Sequence, residues 1–169
     1  AAVLAQGAAK SSVFALIAEL AAIACGCPAE RVAAYRRIGE ATCTMRQVAN
    51  DIRDIYGKRA SGDLACGRVT VPIAAFHARA DAAQRAELAR LTLELPGSLE
   101  PIRRLLLAAG AIQAAAAAME AARRQIHADV LAARGRGGPL DLYRAFVDAM
   151  AGELYRPPAV LPAPVHRAA

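Results

Sequence analysis

Four polar residues in one segment have the types and spacing for cation chemistry: Gln47, Asn50, Asp51 and Asp54. On a helix turning about 100° per residue they share one arc of roughly 100°, opposite a stripe of Met45, Val48 and Ile52. Oxygen-bearing side chains so close together suit a hard cation, because Mg²⁺ prefers oxygen ligands, keeps several waters and bridges to substrate phosphates. The spacing alone equally describes a solvated helix face, where acidic pairs at i, i+3 or i+4 are common and Arg53 is an ordinary surface partner. The next segment tips the balance. It sets Lys58, Arg59 and Arg68 among Gly57, Gly62 and Gly67, just past the helix that carries the carboxylates. Glycines let a backbone approach a phosphate closely, and Arg holds phosphate oxygens in a two-pronged contact. No G-x-x-x-x-G-K-[ST] run occurs, so this is not a Walker loop. Lys10 is a third point of interest, since a cation near the start of an apolar helix opposes the macrodipole. Local conflicts of that kind can mark function, and snorkelling to solvent is the plainer alternative.

The elements that must hold these residues are helical. The chain has 169 residues, 56% of them hydrophobic and 4% aromatic, which excludes a disordered chain and fits about one domain. Ala, Leu, Arg and Glu are plentiful and strand formers sparse, so the expected class is all-α, an antiparallel helix bundle. A first helix to about Ala24 carries Val13, Phe14, Leu16, Ile17, Leu20 and Ile23 and reads as buried on most sides, ending at Gly26 and Pro28. Ala29 to about Tyr56 has the clearest period, and Gly57–Thr70 reads as a loop. Val71-Pro72 opens a third helix to about Glu94. Ser98 is the expected N-cap of a long helix to about Ala133, with a break near Gly110 and an Ala114–Ala118 run against which another helix can pack closely. A last helix starts at Pro139 and carries Leu142, Phe146, Val147, Met150 and Leu154. Residues 157–169 form a Pro-rich tail without a period, and no internal repeat is present.

The net charge is +6, from nineteen Arg and two Lys against 15 acidic residues. The Arg are spread along the chain and Trp is absent, so nucleic acid is not the expected partner and an anionic ligand is. Cys25, Cys27, Cys43 and Cys66 include no C-x-x-C and have no His at ligand spacing, which points to buried thiols in a reducing compartment. His77, His127 and His166 suggest no chemistry. No secretory signal and no membrane span is expected, and the expected location is the cytoplasm.

The order of these features resembles the C-terminal half of the trans-isoprenyl diphosphate synthases, the polyprenyl synthetases. Lys10-Ser11 stands where that family has Lys-Thr. Gln47-Val48-Ala49-Asn50-Asp51-Ile52-Arg53-Asp54 stands at its Phe-Gln and second Asp-Asp-x-x-Asp motif. Gly57-Lys58, Asp63-Leu64 and Gly67-Arg68-Val69-Thr70-Val71-Pro72 follow its Gly-Lys, Asp-Leu and Gly-Lys-x-Thr-x-Pro run. The likeness covers Lys10 to about Phe76 by motif and the remainder by helical character. It implies that residues 1–156 are the C-terminal part of such a domain, in the isoprenoid synthase fold.

By this resemblance Asp51 and Asp54 are the catalytic acids, and Asn50, Asp51 and Asp54 hold Mg²⁺. Lys10, Lys58, Arg68 and Gln47 contact the diphosphate. The departures are Asn50 for the first Asp, Arg46 for the Phe, Ser11 for Thr, Arg68 for Lys, and a shorter step from Asp54 to Gly57. No Asp-Asp pair occurs anywhere, so the first Asp-rich motif is missing along with the isopentenyl diphosphate pocket. The implied activity is Mg²⁺-dependent head-to-tail condensation of an allylic diphosphate with isopentenyl diphosphate, in a homo- or hetero-oligomer. This chain alone is expected to be inactive without the other half of the cavity. The alternatives are a non-catalytic prenyl-synthase-like partner subunit, favoured by Asn50 and the missing motif, and a class I terpene cyclase on the same fold.

Overall fold

The computed structural model describes the backbone of residues 2–57, 62–133 and 140–155, and side chains within 13–57, 62–133 and 140–152. The described residues form helices and no strand. α1 (Ala2–Ala24) ends where the Cys27 amide donates to the Ala22 carbonyl and the Gly26 amide to that of Ile23. Gly26 takes φ +68°, a left-handed conformation that glycine adopts without penalty. α2 (Ala29–Tyr56) then runs back along α1. Gly39 meets the backbone of Ala15, Arg36 pairs with Glu19, and the Arg46 guanidinium stands 5.0 Å over the Phe14 ring. Later residues of α2 therefore face earlier residues of α1, an antiparallel pair.

α2 is the central element. On its other side lies α7 (Ala111–Ala133), joined in one core by Ile38, Ala41, Met45 and Val48 of α2 with Ala115, Met119, Ile126 and Val130. Ala115 is fully buried, so the expected close packing against the alanine run is present. α8 (Leu140–Tyr155) closes this core with Val147 and Ala151, antiparallel to α7, since Arg123 pairs with Asp148 while His127, later on α7, meets the earlier Arg144. The Thr42 hydroxyl, hydrogen-bonded to the Tyr143 hydroxyl, ties α8 to α2. A buried Asp129 on α7 accepts from Arg37 at 2.8 Å and from Gln125 at 2.7 Å. A second core gathers Ile55 from the end of α2 with α3 (Gly62–Ala65), α4 (Val71–Arg79), α5 (Ala82–Leu93) and α6 (Leu99–Ala108), around Phe76, Ile102 and Leu106.

Several expectations need correction. α1 is not buried on most sides. Ala15 and Ala22 meet α2, whereas Val13, Leu16, Ile17, Leu20 and Ile23 are all more than half exposed. Small residues are what allow the close approach at Gly39, and that leaves the large ones facing outward. The third helix is two, because Asp81 caps α5 through the Gln84 amide while Gln84 Oε1 accepts from the Asp81 amide, a capping box that starts a new helix. Ser98 stands at the expected N-cap position of α6 but makes no side-chain capping bond, since its hydroxyl donates back to the Leu91 carbonyl. The loop after α2 holds the one-turn α3. The thiols are not buried: Cys25 and Cys66 are exposed, and Cys27 and Cys43 are half-buried. The break at Gly110 is present and turns α6 from α7 by 68°. No single described helix is long and apolar enough to cross a membrane. The tail at 157–169 lies outside the described residues.

Candidate functional site

The last turns of α2 and the start of α3 border an open cleft of about 380 Å³ lined by Gln47, Asn50, Asp51, Arg53, Asp54 and Asp63. The helical arc that groups the polar residues of α2 in sequence thus faces one space. Asp51 is its deepest member, 2% exposed. One carboxylate oxygen accepts from Gln47 Nε2 at 2.6 Å and the other from the Val71 amide at 2.7 Å, the first residue of α4. Burial pushes the Asp51 carboxyl above the ordinary carboxylate range; the two hydrogen bonds pull against that, and the charges of Asp63 and Asp54 add to it.

The other residues sit nearer water. Asn50 is exposed, with its side-chain oxygen 3.4 Å from the Arg53 guanidinium, and Asp54 is half-buried. Asp63, on α3, accepts from Arg68 at 2.8 Å, and Arg68 is 71% exposed. Asn50 and Arg53 form a ridge, because a second cleft beyond them is lined by Arg46, Ala49, Phe146, Ala149 and Met150. Lys10 lies within α1 by its backbone, but its side chain, like the whole of Lys58, is outside the described residues.

Two residues at this end of α2 are not singled out by sequence reasoning. Asp63 lines the cleft from the loop, and only its Asp-Leu context hints at a role. Arg103 of α6 donates through Nε to the Ile55 carbonyl and through Nη2 to that of Gly57, both at 2.7 Å, and pairs with Glu100. In sequence Glu100 and Arg103 look like a surface i, i+3 pair, so nothing there signals a helix cap 46 residues away.

The donor set suits Mg²⁺ in kind. Asn50, Asp51 and Asp54 present oxygens only, and the cleft is open enough for a hydrated ion. Thr70, next to the Asp51–Val71 bond and 4% exposed, has a buried hydroxyl without a partner among the described residues, but it does not line the cleft. No three His, Cys, Asp or Glu side chains among the described residues converge as a protein-only metal cage would require. The arrangement fits an ion that keeps waters and is completed by phosphate oxygens.

Residues 7–106 match the polyprenyl synthetase family model. Three solved structures share the fold: a polyprenyl synthase from Roseobacter denitrificans (TM-score 0.74, 22% identity, 85% of this chain and 49% of that one); a decaprenyl diphosphate synthase from Rhodobacter capsulatus (0.73, 22%, 85% and 47%); and a geranylgeranyl pyrophosphate synthase from Corynebacterium glutamicum complexed with calcium and isoprenyl diphosphate (0.67, 23%, 80% and 44%). The chain spans about half the length of each. A search of curated proteins finds no match.

Proposed function

Since this chain belongs to the polyprenyl synthetase family, we propose that it is the diphosphate-holding half of a prenyltransferase site, serving head-to-tail condensation of an allylic diphosphate with isopentenyl diphosphate. The observation that carries the proposal is the cleft at the end of α2, lined by Gln47, Asn50, Asp51 and Asp54 with Asp63, which pairs with Arg68 of the following segment.

Asn50, Asp51 and Asp54 are the residues that would hold Mg²⁺, Asp51 through the lone pairs its two hydrogen bonds leave free. When bound, that ion would offset the charge that builds on a departing diphosphate. The chain's own residues do the rest. Gln47 orients the Asp51 carboxylate, Arg68 supplies a fork for phosphate oxygens, and Lys10 and Lys58 are assigned to the same diphosphate from their places in the sequence. The site has one acid fewer than the family pattern, because Asn50 offers an amide oxygen in place of a carboxylate.

The exposed apolar stripe of α1 supports the need for a complementary half. Val13, Leu16, Ile17, Leu20 and Ile23 form an exposed apolar face, uncovered among the described residues, on the helix that carries Lys10. The first Asp-rich motif and the isopentenyl diphosphate pocket belong to that other half, whether in the same chain or in a partner subunit. A second reading, a non-catalytic subunit that binds diphosphate and assembles with an active synthase, is favoured by Asn50.

The test is incorporation of labelled isopentenyl diphosphate into an allylic diphosphate by the full-length protein with Mg²⁺. The expected result is product formation that falls in Asp54→Ala. Product formed equally by Asp54→Ala overturns the site, and no product from an otherwise folded full-length protein favours the non-catalytic subunit.

A further inference from the structure

We propose that Arg103 is a positioning residue, gripping the outgoing end of α2 so that the connection from Gly57 to Val71 leaves it in one fixed direction; this rests on the reading of that connection as a diphosphate-binding segment. The last carbonyls of a helix have no partner within it. Gly57 satisfies the Arg53 carbonyl through its own amide at 2.7 Å, and Arg103 satisfies Ile55 and Gly57 with the two prongs of its guanidinium. A planar fork on two carbonyls fixes direction as well as distance, which the single ammonium of Lys cannot reproduce. The fork is itself held. Its side chain is 17% exposed, Glu100 takes Nη1, the Tyr56 ring lies 5.7 Å away, and the Tyr56 hydroxyl donates to the Arg103 carbonyl at 2.9 Å.

The other end of the connection is pinned to the same helix. Asp51, one turn before Ile55, accepts the Val71 amide at 2.7 Å. The grip at Ile55 and Gly57 and the Val71 bond at Asp51 thus meet α2 within about 9 Å of axis length. The described part of the connection carries Arg68, so the grip helps decide where its guanidinium stands relative to Asp54. Arg103 is not what seats α6. Ile102 and Leu106 on either side of it are fully buried in the second core. Removing the guanidinium should therefore free the end of α2 while leaving the core in place.

The test compares this chain with Arg103→Lys, Arg103→Ala and the exposed neighbour Arg104→Ala, titrating each with inorganic pyrophosphate and Mg²⁺ by calorimetry well below its unfolding transition. Arg103→Ala is expected to weaken binding about tenfold, because preorganisation of the segment is lost, with Arg103→Lys intermediate and Arg104→Ala unchanged. A purely structural role lowers the unfolding temperature of Arg103→Ala and leaves the affinity of the folded chain within twofold of wild type; that result overturns the proposal. Hydrogen exchange decides the grip independently. The Ile55–Gly57 and Arg68–Val71 amides should exchange faster in Arg103→Ala, and unchanged exchange overturns it. If wild type binds no pyrophosphate, the diphosphate reading fails and the exchange result alone decides whether Arg103 fixes the connection.

Discussion

Replacing Gly39 with Ala should destabilise the chain, whereas the same change at Gly152 should stabilise it. A Cβ at Gly39 would sit 2.7 Å from Ala15 Cα and Phe14 O and 2.8 Å from Ala15 N. Carbon contacts are comfortable at roughly 3.5–4.0 Å, and these neighbours are backbone that no rotamer change can move, so α1 must withdraw by about 1 Å. Overpacking of this kind costs about 1–3 kcal/mol. Against it stands the gain of about 0.5–1 kcal/mol when Ala replaces Gly inside a helix. At Gly152, within α8, nothing lies within 4 Å, so only the gain applies. The difference between the two variants is the clash itself, about 1–3 kcal/mol, which at ~2–4 °C per kcal/mol separates their unfolding midpoints by roughly 2–12 °C. Thermal unfolding followed by circular dichroism measures it. Equal midpoints would refute the crossing of α1 on α2 at Ala15, and with it the antiparallel pairing that brings the Lys10 end of α1 toward the Asn50 end of α2.

Asp51 gives a pH-dependent prediction. Its carboxyl is held above the ordinary range by burial, so between the two values the folded chain binds more protons than the unfolded one and stability falls as pH rises through that window. Wild type should gain stability relative to Asp51→Asn as the pH is lowered from about 7 toward the ordinary carboxylate value; a difference that stays constant with pH in urea unfolding contradicts this. Arg37→Ala leaves the Asp129 carboxylate, 5% exposed, with only Gln125 as a partner among the described residues, and should cost about 1–3 kcal/mol by the same measurement. Ile17→Ser, on the exposed face of α1, should change stability by no more than about 0.5 kcal/mol, while Met45→Ala in the core should cost about 2–5 kcal/mol. Equal losses in that pair would mean that α1 is buried after all.

What the sequence made legible follows from the range of each signal. The α2 stripe of Met45, Val48 and Ile52 repeats at helical spacing and is turned into the core as its pattern implies, because amphipathic period is a local property; that α7 is what covers it was not legible. The polar arc on the other face lines one cleft for the same reason. α1 misleads because Val13, Leu16, Ile17, Leu20 and Ile23 form an apolar stripe over roughly a third of its circumference, and composition cannot say whether the surface that covers them is present. The α4–α5 break depends on Asp81 and Gln84 exchanging hydrogen bonds, a four-residue motif hidden inside a continuous helical pattern. The partners of Asp51 and Arg103 lie 20 and 46–48 residues away, so the bond to Val71 and the cap on Ile55 and Gly57 exist only once α4 and α6 have packed.

The central claim, that the end of α2 is a diphosphate site, is tested most directly by titrating isotope-labelled chain with inorganic pyrophosphate and Mg²⁺ and following backbone amide resonances. The account predicts saturable shifts concentrated at Gln47–Gly57 and Asp63–Val71, lost in Asp54→Ala. Shifts centred elsewhere, or the same shifts in Asp54→Ala, would contradict it.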